Sequence, residues 1–444
     1  MCTFAESQRK TRSMEALLHY VWKHKLFPLK EILSQDGQVV EVIDPGLHNR
    51  DAGPDFFNSK VKIGGTLWAG NVEIHDKASD WFLHGHDNDV RYDNVVLHVC
   101  SVLDAQAVNT KGEALCQVRL EVPPNVQAHY TELSQEDLYP PCHRIIPSLS
   151  TLMIHSWMSA LQVERLERKM RDILQRVERC EGSWEAAYFV TLARNFGFGI
   201  NGDVFEQWAL HVPLQAVGHH RDNLFQIEAM FMGQAGLLDL NTVPEPYRAD
   251  AISEGYFQKM QGEYAYLARK FSLKPINANL WRFLRLRPQN FPHIRISQLA
   301  NLYYRRRADL GQLLEATDVE SARNVLSTQV TPYWETHYTF GSTSVRNEKN
   351  LSVFSLNLLL VNTVVPMLFA YGRHKQDDRL CERAFAFLEG LKAENNHIVR
   401  MWSQCGLLVK NAGDSQALIQ LKTAYCDRKE CLRCRIGYEY LKRL

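Results

Sequence analysis

Acidic and histidine side chains cluster early in the chain, and two of them share one predicted strand. Glu73 and His75 lie two residues apart in the segment Gly70–His75. Because side chains alternate along an extended strand, both point to the same face. Asp55 follows a proline at the end of a turn one strand earlier and can reach that face. The sequence therefore predicts an aspartate, a glutamate and an imidazole around one point.

Such a trio of side chains suits hydrolysis that depends on a divalent metal. Carboxylate oxygens hold Mg²⁺ or Mn²⁺, and the bound ion activates water and stabilises negative charge on a phosphate. We expect Asp55 and Glu73 to be metal ligands and His75 to polarise the phosphate or transfer a proton. Glu15, on the opening helix, is expected to add an outer carboxylate.

A second arrangement of metal ligands uses imidazoles. His84 and His86 are separated by one glycine and, with His75 upstream, could form a zinc or manganese site of three imidazoles and a carboxylate. On a helix the two rings would point apart by about 200°, so this site needs a loop or an extended segment there. A polar helix end is the favoured interpretation of His84 and His86, and His98, within an apolar strand, is interpreted as a core histidine.

The C-terminal tail carries a third group of candidate ligands. Cys426, Cys431 and Cys434 lie close together in a basic segment, and the last two form a Cys-x₂-Cys pair. Three thiolates at this spacing predict a zinc or iron–sulfur centre. The fourth ligand is left open among Cys142, Cys405 and Cys2.

The surrounding pattern predicts the elements that position these residues. Helical periodicity over Ser13–Lys25 is followed by three short β-branched segments, a short polar helix and one or two further strands. The series ends at the Pro-rich break Tyr139–Pro141. We predict an α+β protein, with an α/β domain over residues 1–145 and a mainly α-helical domain over residues 146–444 that includes the cysteine motif. Predicted helices in the second domain are Trp157–Val177, Trp184–Asn195, Val204–Leu210, Leu224–Gly233, Gly255–Phe271, Ile296–Tyr304 and Asp378–Leu391.

Composition limits the partners. The 444 residues have a net charge of +1 and are 45% hydrophobic, so the chain can build packed cores but offers no bulk charge to bind nucleic acid or a membrane surface. The richest apolar segment, Leu351–Tyr371, contains two asparagines and a proline and predicts a buried helix. We expect a soluble cytoplasmic protein with no membrane partner.

One local patch could bind nucleic acid. Arginines that could neutralise phosphates alternate there with aromatic rings that could stack on bases. A solvated face over buried aromatics is the favoured interpretation, and contact with nucleic acid is the alternative. The patch consists of Trp281, Arg282, Phe283, Arg285, Arg287, Phe291, Arg295, Tyr303, Tyr304 and Arg305–Arg307.

The N-terminal segment resembles the PD-(D/E)xK nuclease superfamily over about its first 125 residues. Pro54-Asp55 matches the first motif of that superfamily, and Glu73-x-His75 matches (D/E)xK with His in place of Lys. The resemblance implies a restriction-endonuclease-like domain and a metal-dependent nuclease or related phosphodiesterase acting on nucleic acid. The alternatives are a catalytically inactive nuclease-like module that binds nucleic acid or protein, and a His-based metal hydrolase.

Nearly the whole chain also resembles an uncharacterised bacterial family, domain of unknown function 2851. This resemblance implies a shared architecture and supplies no activity. The motifs that carry it are Gly46–Asn49, Gly53–Phe56, Val72–His75, Ser79–Trp81, Asn195–Phe198, Arg285–Pro288 and the terminal cysteines.

Overall fold

The computed structural model describes residues 14–27, 31–49, 52–135 and 140–443, which form two compact units. Unit 1 comprises the chain up to Trp157 together with Met401–Leu407 and the residues from Leu421 onward. Unit 2 comprises Met158–Arg400 and Leu408–Gln420. The sequence-based division at residue 145 assigned the cysteine tail to the helical domain, whereas in the structure this tail is part of unit 1. Helical periodicity alone does not show which core a terminal helix joins.

Unit 1 is built on a seven-stranded sheet. Its strands follow the order β1-β2-β4-β5-β6-β7, and β3 pairs with β4. The pairs β2–β4 and β4–β5 are antiparallel, whereas β5–β6 and β6–β7 are parallel. The predicted strands are confirmed. The strands are β1 Ile32–Leu33, β2 Val39–Asp44, β3 Leu47–His48, β4 Phe56–Ile63, β5 Thr66–Lys77, β6 Val95–Val102 and β7 Gln117–Arg119.

Two helical segments of unit 1 flank the sheet residues of interest. Helix α1 covers residues 14–23 and buries its predicted apolar face, which includes Leu18 and Trp22. Helix α2 covers only Asp80–Leu83, and the connection to β6 continues through the 3₁₀ turns His86–Asn88 and Val90–Tyr92. This short crossover lets β6 run parallel to β5. Helix α3 is Pro124–Gln135.

Unit 2 is helical around one hydrophobic core, and the predicted helices are confirmed. The stretch Val353–Lys375 is long and apolar enough to cross a membrane, but 67% of its apolar window is buried inside the protein, as in a core helix. The remaining helices of the chain, of which α19 belongs to unit 1, are α4 Thr151–Arg179, α5 Trp184–Phe196, α6 Gly202–His211, α7 Leu214–Gly218, α8 Leu224–Gln234, α9 Arg248–Ser253, α10 Tyr256–Phe271, α11 Pro292–Tyr304, α12 Leu310–Glu315, α13 Val319–Leu326, α14 Val353–Leu359, α15 Val365–Lys375, α16 Asp378–Gly390, α17 His397–Gln404, α18 Ala412–Gln420 and α19 Arg435–Leu441.

Trp81, on α2, anchors the crossover to the sheet. Its side chain is fully buried, and its indole N–H donates to the Val108 carbonyl oxygen at 2.9 Å. The indole ring lies with its centroid 5.3 Å from the ring of His86 and 5.1 Å from the ring of His98. Trp81 therefore supports the histidine cluster from beneath, and its loss would remove both packing and a hydrogen bond.

We predict that Trp81→Ala lowers the free energy of opening of unit 1 by about 3–5 kcal/mol, the usual cost of deleting a buried aromatic ring. Hydrogen exchange of the β6 amides in the full-length protein measures this free energy. The matched control is Trp68→Ala on β5, because Trp68 is 49% exposed. Equal protection of β6 in the two variants would contradict the anchoring role.

Candidate functional site

The predicted acidic and histidine residues converge at the point where β4 and β5 begin to separate. Glu73 and His75 lie on one face of β5, with His75 Nε2 3.5 Å from Glu73 Oε1. Asp55 immediately precedes β4, and its backbone N–H donates to Glu73 Oε2 at 3.0 Å. In return, Asp55 Oδ2 accepts from the Ile74 N–H at 2.9 Å. This reciprocal pair of hydrogen bonds fixes both carboxylates beside His75.

Two further histidines reach the same point through the turn after α2. The helix ends at His84, and Gly85 takes a left-handed conformation with φ of 73°, which favours glycine. The turn brings His84 Nδ1 to 3.1 Å from His75 Nε2 and His86 Nε2 to 3.3 Å from Glu73 Oε1. His84 lies at the end of α2, as the interpretation of a polar helix end expects. His86 lies beyond Gly85, in the loop that metal binding by both histidines requires.

The separations between these atoms match those of a metal coordination shell. One ligand nitrogen from each of His75, His84 and His86 lies within 4.8 Å of the other two. A tetrahedral ion bound at about 2.0–2.1 Å holds neighbouring ligand atoms roughly 3.3–3.4 Å apart. Three of the contacts among the four ligand atoms, at 3.1, 3.3 and 3.5 Å, fall around that value, and two of them include the Glu73 oxygen. His84 is exposed and leaves the site open to solvent on that side.

A buried hydrogen-bond chain behind His75 controls its ring proton. The Ala107 N–H donates to Gln117 Oε1 at 3.2 Å, so the Gln117 amide nitrogen donates to His98 Nδ1 at 3.0 Å. His98 then carries its proton on Nε2 and donates to His75 Nδ1 at 2.9 Å. Because His75 Nδ1 accepts this hydrogen bond, the proton of the neutral His75 ring lies on Nε2. Reversal of the Gln117 amide would move the proton to His75 Nδ1 and free Nε2 to bind a cation.

Burial controls the charge of the site. It raises the pKa of Glu73, and the neighbouring Asp55 carboxylate raises it further. It lowers the pKa of His75, and the adjacent imidazoles, His98 first, add to this effect. It also lowers the pKa of His86. The metal-free site therefore favours a protonated Glu73 and neutral His75 and His86 at neutral pH, and a bound cation would stabilise the ionised carboxylate.

Helix α1 adds a histidine that the sequence analysis missed. His19 Nε2 lies 3.2 Å from Asp55 Oδ2. Burial opposes protonation of His19, but its contact with Asp55 and the charge of Glu15 outweigh burial and raise its pKa. Burial raises the pKa of Glu15, which also interacts electrostatically with Asp55 and His84. The spacing of Glu15 and His19, four residues apart on one helix, was the available signal.

The predicted cysteine ligands form a separate group in unit 1. Cys426, Cys431 and Cys434 line one small cavity, and Cys142 lines it with them. Cys405, another candidate for the fourth position, is not among the residues that line this cavity. Cys2 lies outside the described residues.

The fold and the site define a two-unit protein whose mixed α/β unit carries a buried site of histidines and carboxylates. The family described as "Protein of unknown function (DUF2851)" matches residues 15–397, and the chain belongs to this family. Neither the curated proteins nor the solved structures provide a match to the chain.

We predict that Glu73→Gln stabilises chelator-treated protein at alkaline pH. The folded unit retains the Glu73 proton above its ordinary pKa of 4.5, whereas the unfolded chain releases it, so stability falls as pH rises. A shift of one pKa unit corresponds to about 1.4 kcal/mol, and the glutamine variant should gain at least that amount at pH of about 9. Scanning calorimetry between mildly acidic and alkaline pH measures the effect. The control is Glu41→Gln on β2, where the side chain is exposed, and equal pH dependence in both variants would refute the prediction.

Proposed function

We propose that unit 1 is a divalent-metal-dependent hydrolase whose ion is held by His75, His84, His86 and Glu73. The convergence of three imidazoles and one carboxylate at coordination-shell separations carries this proposal. Three nitrogen ligands and one oxygen ligand suit zinc or manganese better than Mg²⁺, which prefers oxygen ligands. Loading of His75 is coupled to reversal of the Gln117 amide.

Each group around the ion has a chemical task. A bound ion lowers the pKa of water and stabilises developing negative charge. Because four protein ligands fill a tetrahedral shell, hydrolysis would require a fifth position on the ion, and the exposed side at His84 is where water and substrate could reach it. Asp55 and His19, in contact at 3.2 Å, form a pair that can accept and return a proton. Asp55 thus serves in proton transfer in this proposal, instead of as the ligand expected from the sequence.

Phosphodiesters of nucleic acid are the proposed substrate class. Support comes from the order of elements, in which a helix and an antiparallel set of strands are followed by a short helix and a strand parallel to β5. The sequence resemblance to PD-(D/E)xK nucleases, in which Asp55 and Glu73 match the motif carboxylates, adds further support. His75 stands at the position of the lysine of that superfamily and lies in contact with Glu73.

A carboxylate-only metal site is the second candidate. Glu15, Asp55 and Glu73 repel one another, and this repulsion helps to raise the pKa of Glu15 and of Glu73. Mg²⁺ or Mn²⁺ bound among these oxygens would relieve the repulsion. This candidate is the original nuclease hypothesis, with His75 as the polarising group and Glu15 as the outer carboxylate.

We predict that His86→Gln weakens Zn²⁺ or Mn²⁺ binding by at least about tenfold, because it removes one nitrogen from the shell. Isothermal titration of metal into chelator-treated full-length protein measures the affinity. The control is His211→Gln, since His211 is exposed on α6 in unit 2. Gln117→Glu should strengthen binding, because a carboxylate accepts from both the Ala107 N–H and a proton on His98 Nδ1.

Hydrolysis of single- and double-stranded DNA and RNA distinguishes the two candidates. The histidine-based site requires His86 and Asp55 and tolerates Glu15→Gln. The carboxylate site loses activity on Glu15→Gln and keeps most of it on His86→Gln. Metal binding without cleavage of any nucleic acid would reject the substrate class, and absence of both would favour a nuclease-like binding module.

A further inference from the structure

Four cysteines meet around one small cavity in unit 1. The cavity has a volume of about 100 Å³ and is lined by Cys142, Cys426, Cys431 and Cys434 together with Leu133, Pro141, Tyr425, Lys429 and Gly437. Cys142 immediately precedes the 3₁₀ turn His143–Ser148, and Cys426 ends the helical segment Leu421–Cys426. The other two flank a turn at the start of α19. Two distant parts of the chain thus bring their thiols to one place.

The Cys-x₂-Cys turn is held in the shape of a metal-binding knuckle. The Cys434 N–H donates to the Cys431 carbonyl oxygen at 3.2 Å, which closes the turn. Gly437 lets α19 approach this turn closely, since a Cβ atom at Gly437 would collide with the Cys431 carbonyl oxygen. Lys429 ends the preceding turn in a left-handed backbone conformation, with φ of 55°. This cationic residue lines the cavity.

Hydrogen-bond donors surround the sulfur of Cys434. The backbone N–H groups of Ile436 and Gly437 and the indole of Trp157 lie near this sulfur. The Trp157 indole nitrogen is buried and has no hydrogen-bond partner among the described residues. N–H groups directed at a sulfur are a common feature around metal-bound thiolates.

The four thiols lie near one another around the cavity. The sulfurs of Cys426, Cys431 and Cys434 are close enough to that of Cys142 to interact with it electrostatically. Four thiolates in one buried cavity repel one another unless a cation lies between them. A bound metal is the group that removes this repulsion.

We propose that Cys142, Cys426, Cys431 and Cys434 form a four-thiolate metal centre, with Cys142 as the fourth ligand. Zinc and an iron–sulfur cluster both take four cysteine thiolates, and the experiment separates them. The centre lies apart from the histidine site in its ligands and does not rest on the proposed hydrolase function.

Metal content of the full-length protein, purified without oxygen, tests the centre. We expect about one zinc ion, or one cluster with iron and inorganic sulfide, per chain. Visible absorption identifies the iron form, and a colourless protein with zinc identifies the other. Cys142→Ser should lower the metal content or the affinity by at least about tenfold. The matched control is Cys405→Ser, which should retain the wild-type content.

Substitution with Co²⁺ keeps the test informative if Cys142→Ser folds poorly. Thiolate-to-cobalt charge-transfer absorption reports the number of bound sulfurs, and Cys142→Ser should lower its intensity relative to wild type while Cys405→Ser leaves it unchanged. Wild-type protein with neither zinc nor iron, or a Cys142→Ser variant with unchanged metal content, would overturn the proposal.

A different cavity, in unit 2, carries a second and independent inference. It has a volume of about 720 Å³, and Arg285, Arg287, Arg295 and Lys349 contribute to its wall. No aspartate or glutamate is among the described residues that line it. Arg295 is only 5% exposed, and its Nε finds no hydrogen-bond partner among the described residues. A buried cation with an unsatisfied donor in an acid-free cavity would be stabilised by an anion.

The cavity also offers surfaces for a ring. Arg295 lies over the ring of Phe198 at 4.4 Å, and Phe354 is 65% exposed at the same cavity. Asn290 and Gln298 hold the Arg295 guanidinium at 2.5 and 2.8 Å, which fixes its direction. We infer that this cavity binds a nucleotide phosphate, either of a free mononucleotide or at the end of a nucleic-acid strand. The cavity volume falls within the range of about 300–1,000 Å³ that is typical of ligand-binding sites.

Titration with a mononucleotide and with a labelled single-stranded oligonucleotide tests this inference. The double variant Arg285→Gln/Arg287→Gln should weaken binding by at least about tenfold and reduce the salt dependence by about two phosphate contacts. The control is Arg305→Gln/Arg306→Gln, since these exposed arginines lie outside the cavity. Binding of the mononucleotide identifies a free nucleotide, and binding of the oligonucleotide alone identifies a strand end. Equal loss in both double variants, or no binding of either probe, would overturn the inference.

Discussion

Glu73 is a carboxylate that the fold of unit 1 removes from water. It is 5% exposed, and burial of a carboxylate is costly unless the group is protonated, hydrogen-bonded or paired with a cation. The Asp55 N–H donates to one of its oxygens, and the other faces His75 and His86. A buried carboxylate at this position makes the protein less stable than an apolar residue that packs equally well would. The proposed ion site would account for its presence.

The groups behind Glu73 restrict the positions of the imidazoles. Trp81 packs beneath His86 and His98, and Tyr92 stacks on His86 with ring centroids 3.8 Å apart. The Gln117–His98 chain reaches His75 from the neighbouring strands of the parallel part of the sheet. Such support matters because a metal or a proton acceptor must meet its ligands within a fraction of an ångström. Strand pairing supplies this precision without any long loop.

Local periodicity predicted the parts of this site that lie on regular elements. Alternation along β5 places Glu73 and His75 on one face, and the helices of unit 2 follow from their apolar spacing. The remaining contacts depend on tertiary structure. His84 and His86 converge only because Gly85 adopts a left-handed conformation, and His19 meets Asp55 only when α1 packs on the sheet. Neither the Gly85 turn nor the packing of α1 produces a periodic pattern in the sequence. The sequence analysis therefore ranked the histidine ligands below the carboxylate ligands.

The cysteine tail shows why the division into units could not be predicted from the sequence. Unit 2 is inserted in the chain between segments of unit 1, and Cys142 and Cys426 are roughly 280 residues apart. The entropy of closing a loop grows only with the logarithm of its length, at about 0.6 kcal/mol per doubling, so a modest number of contacts can return the tail to its unit.

Three hydrogen bonds join the C-terminal tail to earlier segments of unit 1. Arg435 donates to Ser156 at 2.8 Å, Tyr440 to Glu132 at 2.9 Å and Asn125 to the Arg443 carbonyl oxygen at 3.0 Å. These contacts are individually worth about 1 kcal/mol and lie mostly at the surface, where water competes for them. A four-thiolate centre would add a cross-link that water cannot replace, at the cavity that cysteines of the tail and of the segment before α4 line together.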